Sequence, residues 1–232
     1  MHARLARNRA AGMTPEELAA LHPRLYHTTD AANLDGILRH GLLSTHGILD
    51  LFGVPPAERE AFLRQRRPDR VRLEHPDGGV AVITDNGPLH MASLASCLDD
   101  GLTPADWCAK LNERVFFWVD ERSLHRLVNA AASRERDRVV LVFDTARLAH
   151  AYAGQIELSP INSGSSMRKP ARRGEATFTP LLQYGYAEWR RLRQQRGEKA
   201  TPDSIKEVTV LRGIQDVRPF LVRYDVVSGG SR

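Results

Sequence analysis

The sequence predicts an α+β fold, and three observations carry that expectation. Its 232 residues are 42% apolar and 26% charged, enough to bury a real core and typical of globular chains. Two strongly apolar, β-prone runs, at 114–119 and 138–144, stand among segments with helical spacing and clear helix caps. The two kinds of segment do not alternate strictly as strand, helix, strand, which argues against a doubly wound parallel sheet.

Residues 1–22 are expected to form a polar lead-in holding one helix. Thr14 is its N-cap, Pro15 its first position, and Glu16 and Glu17 fill the first turn. A short strand follows at 24–28. Asp30 then caps a helix in which Leu34, Ile37 and Leu38 recur at helical spacing, and Gly41 ends it. Residues 48–52 are expected to be helical, and Pro55-Pro56 starts a second helix carrying Arg59 to Arg66. A β-prone run spans 79–84. Helices fill 89–112, where Thr103-Pro104 repeats the cap-then-proline signature. Between the two apolar strands, Leu124, Leu127 and Val128 have helical spacing. Two late strands are expected at 205–210 and 219–224. The segment 159–183 is rich in Ser, Gly, Pro and Arg, and a connection that long is a functional loop or a disordered one. The chain thus divides into a helical lead-in (1–22), a single domain (23–226) and a flexible tail (227–232).

Composition excludes several classes. No stretch approaches 18 apolar residues, so no transmembrane helix is expected, and no apolar signal core follows the basic N-terminus. Cys97 and Cys108 form no CxxC pair; they suggest small packed residues in a reducing compartment, hence a cytoplasmic protein with neither disulfide nor zinc site. The net charge of +5 permits a polyanionic partner. Basic clusters at 64–67, 168–173 and 190–196 fit a solvated basic face, and nucleic acid leads among charged partners. The chain has no GxxxxGK[ST], no GxGxxG after a strand, no HExxH, no GxSxG and no metal-ligand spacing.

Three segments carry groups suited to chemistry. At the end of the first strand, His27 can donate a ring N–H to a ligand hydroxyl, Thr28 and Thr29 can donate or accept, and Gly41 permits close backbone approach. A core histidine satisfied by backbone, with Asn33 a plain helix residue, fits the same pattern. Phe117 and Trp118 offer rings that stack well on a flat cation, with Arg122 shortly after; a core strand and a helix-face arginine fit equally. Glu207 begins a β-prone run, so its side chain can point into a cleft while Val208 and Val210 pack. An exposed charge at a strand start is the alternative. In the long loop, Asn162, Ser163, Arg168, Arg172 and Arg173 supply donors and positive charge suited to a bound nucleotide or polyanion. Trp189, Tyr184 and Tyr186 beside Arg190 to Arg193 fit either a single-stranded nucleic-acid platform or an amphipathic helix.

The first segment resembles the opening motif of the DarT family of nucleic-acid ADP-ribosyltransferases. There a strand ends in His-x-Thr, followed by Asn-Leu, an Ile-Leu pair and Gly-Leu; here these are His27, Thr29, Asn33-Leu34, Ile37-Leu38 and Gly41-Leu42. The resemblance implies a split, mixed β-sheet core with inserted and flanking helices, NAD+ as co-substrate, and no metal. It implies that His27 holds the nicotinamide-side ribose, with Thr28, Thr29, Asn33, Gly41, Phe117 and Trp118 around the dinucleotide. The segment 117–123 resembles the family's aromatic strand and following arginine, with Glu121 where the family often has proline; Arg122 would then meet the phosphates or orient the scissile ribose. Lys206 to Val210 is similar to the late strand bearing the superfamily's catalytic glutamate. Glu207 would stabilise an oxocarbenium-like transition state and act as general base. Residues 44–112 and 159–164 have no counterpart in the family. The acceptor is therefore open: DNA or RNA first, then protein, a small molecule, water or a tRNA 2′-phosphate. A non-catalytic nucleotide-binding or RNA-binding module is the alternative of another class. The likeness further implies an antitoxin or a reversing hydrolase as partner, and no membrane.

Overall fold

Helix α1 (Pro15–Leu21) begins at a reciprocal cap in the computed structural model, which describes residues 12–67, 69–75, 79–85, 89–122, 136–167, 170–195 and 205–229. The Thr14 hydroxyl accepts from the Glu17 N–H, and the Glu17 carboxylate accepts from the Thr14 N–H. Strand β1 (Arg24–Asp30) passes through a 3-10 turn at Ala31–Asn33 into α2 (Leu34–His40). Gly41 stops that helix at φ 93°. A Cβ there would lie 2.1 Å from the Ile214 carbonyl oxygen, so the position requires glycine for its torsion and for the close approach of the late chain.

The next elements are β2 (Leu42–Leu43), α3 (Thr45–Leu51), α4 (Pro56–Arg64), the hairpin β3 (Val71–Glu74) and β4 (Val80–Ile83), α5 (Met91–Ala95) and α6 (Pro104–Asn112). They lead to β5 (Arg114–Trp118) and β6 (Arg138–Asp144), then α7 (Thr145–Tyr152), β7 (Ile156–Ser159), β8 (Thr179–Pro180) and α8 (Tyr186–Gln195). Strands β9 (Glu207–Leu211), β10 (Gly213–Ile214) and β11 (Leu221–Val227) close the described chain. The helical spacing at Leu124, Leu127 and Val128 lies outside the described residues.

Seven strands form the main sheet in the order β11-β6-β1-β5-β9-β7-β8. The fold is α+β, as the sequence predicts. Every ladder in this sheet is antiparallel, which corrects the mixed sheet that the resemblance implies. The sheet nevertheless divides near its middle. Strand β1 pairs with β6 at seven positions but meets β5 only at Tyr26↔Trp118.

Alternation along the strands sends Val115, Phe117, Val208, Val210, Ile156 and Leu158 to one face, where they join Leu25, Leu141 and Phe143 in the main core. Met13 and Leu18 are fully buried in that core, and the Met13 N–H donates to the carbonyls of Leu181 and Tyr184. The described part of the lead-in is therefore built into the domain. A second cluster around Trp107 collects Leu94, Cys97, Cys108 and Phe178. The segment 159–183, expected to be loop, contributes a 3-10 turn (Glu175–Thr177) and β8, anchored by the buried side chains of Arg173 and Phe178. Likewise β11 runs to Val227, into the expected tail. No helix among the described residues is long and apolar enough to cross a membrane.

Candidate active site

A cavity of about 1060 Å³ opens at the split between β1 and β5, at the upper end of small-molecule sites. It is lined by His27, Thr28 and Thr29 of β1, by Phe116 and Trp118 of β5, by the α2 flank, by β4, and by Glu207. Among the described residues, seven arginines reach its wall (Arg39, Arg66, Arg67, Arg72, Arg114, Arg136, Arg138) against three carboxylates (Asp35, Asp85, Glu207), an excess that favours an anionic ligand.

His27 bridges the split. Its Nδ1 lies 2.9 Å from the Phe116 carbonyl oxygen, on the strand that β1 has all but left. Burial pushes the imidazole pKa down, and the carbonyl bond offsets this only partly. A carbonyl can only accept, so the neutral ring carries its proton on Nδ1 and keeps Nε2 as an acceptor. Beside it, the Thr28 hydroxyl is buried without a hydrogen-bond partner.

Asn33 has a different task. Its amide donates to the Thr29 hydroxyl (2.8 Å) and the Val82 carbonyl (2.9 Å), while its oxygen accepts from the Val82 N–H (2.6 Å). The side chain thus stands in for a neighbouring strand on the outer edge of β4 and clamps the hairpin over the cavity. With both amide protons engaged, Asn33 and its partner Thr29 shape the wall of the cavity they line. Gly41 also lines the cavity, through the backbone approach described above.

Glu207 lies two strands from β1 and lines the same cavity as His27. One row of opposed residues runs Ser159, Glu207, Trp118, Tyr26, Val142, Arg223 across six strands, which puts Glu207 roughly 10 Å from β1. The carboxylate is 4% exposed. Its Oε2 accepts from the Ser163 N–H (3.1 Å) and the Ser163 hydroxyl (2.6 Å). Burial raises its pKa to about 7; the Ser163 donors and the charge of Arg173 hold it from rising further. On the same face, Glu157 is neutralised by Arg114 through Nε (2.7 Å) and Nη2 (3.2 Å). Two glutamates on one sheet face thus have opposite environments: Glu157 is paired with a guanidinium, whereas Glu207 is buried against neutral Ser163 donors.

Several expected site residues are elsewhere. Arg173 is 2% exposed, and its guanidinium donates to the carbonyls of Ser163 (3.0 Å), Ser165 (2.8 Å) and Ala171 (3.1 Å) above the Trp107 ring. It organises the loop beneath Glu207 and, buried outside the cavity lining, presents no donor to a substrate there. Ser163 is fully buried and spends both donors on Glu207. Exposed Arg172 pairs with Asp99, away from the cavity lining. Asn162 also lies outside the lining, its Oδ1 buried without a partner. Phe117 borders the cavity but is fully buried and edge-on to Phe143, so its ring belongs to the core. Arg122 is exposed at the start of a helix and does not reach the cavity. Trp189 is 3% exposed in the main core, so α8 is an amphipathic helix and not a stacking platform. Arg168 and Ser123 lie outside the described residues.

Arg138 is the cavity residue that sequence patterning passed over. It opens β6 opposite Asp30; its Nε is buried without a partner, and burial lowers the guanidinium pKa. A cation at the head of a strand that is apolar from Val139 to Phe143 was the available signal.

The chain belongs to the DUF7002 family, described as a family of unknown function, which it matches over residues 23–221. No curated protein and no solved structure matches it.

Proposed function

We propose that the chain is an NAD-dependent ADP-ribosyltransferase that releases nicotinamide and passes ADP-ribose to a nucleic-acid acceptor. The observation that carries this reading is the pairing of His27 and Glu207 across one dinucleotide-sized, arginine-rich cavity, with Glu207 held near neutrality by burial. The Nε2 of His27 accepts from a ribose hydroxyl. Trp118, half-buried between Glu207 and Tyr26 on that row and lining the cavity, supplies a ring beside the nicotinamide. Arg138 takes the phosphate-facing role that the resemblance gives to Arg122.

In the reaction the bond from the ribose C1′ to the nicotinamide nitrogen breaks and nicotinamide leaves neutral. Ionised Glu207 stabilises the positive charge developing on the sugar. A bond forms from C1′ to the acceptor, and the acceptor's proton passes to Glu207. A pKa of about 7 suits a base working at neutral pH. The excess of arginine around the cavity supports a polyanionic acceptor.

The test is mass-spectrometric detection of nicotinamide released from NAD+, with and without single-stranded DNA, duplex DNA and RNA. Glu207→Gln is expected to slow release by about 10²–10³-fold, and wild-type turnover should climb with pH through about 7 as Glu207 ionises. Neither turnover nor NAD+ binding by the wild-type protein would sink the assignment and leave a basic binding module in its place.

A further inference from the structure

Strand β11 ends the main sheet, pairing with β6 on one side and with no strand among the described residues on the other. It is seven residues long, Leu221–Val227, and nearly all of it is exposed on both faces. A free edge of that length is a template for another strand, and proteins ordinarily blunt such edges with charge, proline or a bulge. Here a register shift between Leu221 and Arg223 affects only the first positions. Val222, Tyr224 and Val226 point to one face, each about half exposed, while Arg223 and Asp225 point to the other.

That pattern is self-complementary about Tyr224. In an antiparallel pairing of two β11 strands with Tyr224 opposite Tyr224, Arg223 stands opposite Asp225 of the second copy, and Asp225 opposite its Arg223. Val222 meets Val226, and the register shift at the start of the strand ends the regular ladder there. Opposed residues of an antiparallel ladder share a face, so an apolar strip closes on one side and two reciprocal ion pairs on the other. Parallel pairing in register would set like charges against each other. The two charges therefore act less as a block on the edge than as a code for one register and one direction.

We propose that a second copy of this chain pairs edge to edge along β11, making an isologous two-fold dimer with a continuous fourteen-stranded sheet. Arg223 exchanges its present contacts with Asp225 and Glu121 of its own chain for Asp225 across the two-fold. Arg223 lies on the row that contains Glu207, so the Glu207-bearing faces of both copies look the same way. Two cavities then open on one side of the dimer, an arrangement suited to a long ligand that meets both. The proposal stands whether or not the cavity turns over NAD+.

Sedimentation equilibrium of the full chain across the micromolar range tests it. The wild-type protein is expected to be a reversible dimer. Arg223→Asp and Asp225→Arg each place like charges across both symmetric pairs and should weaken dimerisation about tenfold. The double exchange Arg223→Asp with Asp225→Arg restores opposite charges and should recover the wild-type constant. Val226→Lys, on the apolar face, should weaken the dimer without rescue. Melting curves below the dissociation constant verify that each variant keeps the monomer fold. A wild-type monomer at every concentration, a dimer indifferent to these variants, or failure of the double exchange to restore pairing would overturn the proposal.

Discussion

On one wall of the cavity the side chains come from a single stretch, residues 27–41. On the other, the groups around Glu207 come from residues 107, 163, 173 and 207, brought together from segments that share no motif. The β1 wall uses neutral hydrogen bonds of short sequence range, Asn33 to Thr29 and a 3-10 turn feeding α2. The Glu207 wall buries an acid and a guanidinium on opposite sides of the Ser163 peptide, so that neither is fully compensated. The first wall is a shape held by backbone geometry. The second stores an electrostatic cost, and that cost is what moves a carboxylate to neutrality.

Substitutions on the second wall should therefore cost most. Arg173→Ala takes a buried guanidinium's donors from one buried and two half-buried carbonyls and is expected to destabilise the fold by about 3–5 kcal/mol, read by urea denaturation. Its exposed neighbour Arg172→Ala should leave the transition where it was. Equal effects of the two would mean that the buried guanidinium does not hold the loop.

Next comes the proton on Glu207. Its folded-state pKa of about 7 lies above its ordinary 4.5, so between those values the folded state binds more protons than the unfolded one. Stability from this group is full below about pH 4.5 and falls as pH rises through 7, by about 3 kcal/mol in all. Glu207→Gln carries no such proton and keeps an acceptor for Ser163. Its stability relative to wild type should grow between about pH 5 and about pH 8. A difference that does not change with pH would show an ordinary pKa and remove the case for acid–base poise.

Smaller effects belong to the β1 wall. Asn33→Ala strands the Val82 N–H and carbonyl and should cost about 2 kcal/mol, with faster hydrogen exchange at Val82. Thr29→Val takes away one acceptor and should cost about 1 kcal/mol, measured by thermal denaturation. A larger loss for Thr29→Val than for Asn33→Ala would place the clamp at the threonine.

The same contrast explains what was legible beforehand. Helix α1, β1, α2 and the Gly41 stop are written in adjacent residues, through caps, spacing and one glycine, and they form as the sequence indicates. Strand β7 was not visible, because all four of its residues are buried and Glu157 interrupts the apolar run that would mark it. Helix α7 follows β6 without a loop; only the Asp144 cap, which accepts from the Arg147 N–H, announces it. Arg173 looked like surface charge because its neighbours in sequence are basic, whereas its neighbours in space are carbonyls and an indole.

Local order along the chain was enough to determine the α+β class, the capped helices and the strands that present His27 and Glu207, although β1 runs on to Asp30 and holds His27 at its middle. Each of these depends on torsional preference, capping and alternation within a few residues. The tertiary structure alone decided that β1 parts from β5 to open a cavity, that Asn33 serves the hairpin, and that Glu207 sits over a buried arginine near neutrality. Those outcomes depend on desolvation and on contacts between distant segments, 49 residues apart for Asn33 and Val82 and 89 for His27 and Phe116, and such terms have no value until the chain has closed around them.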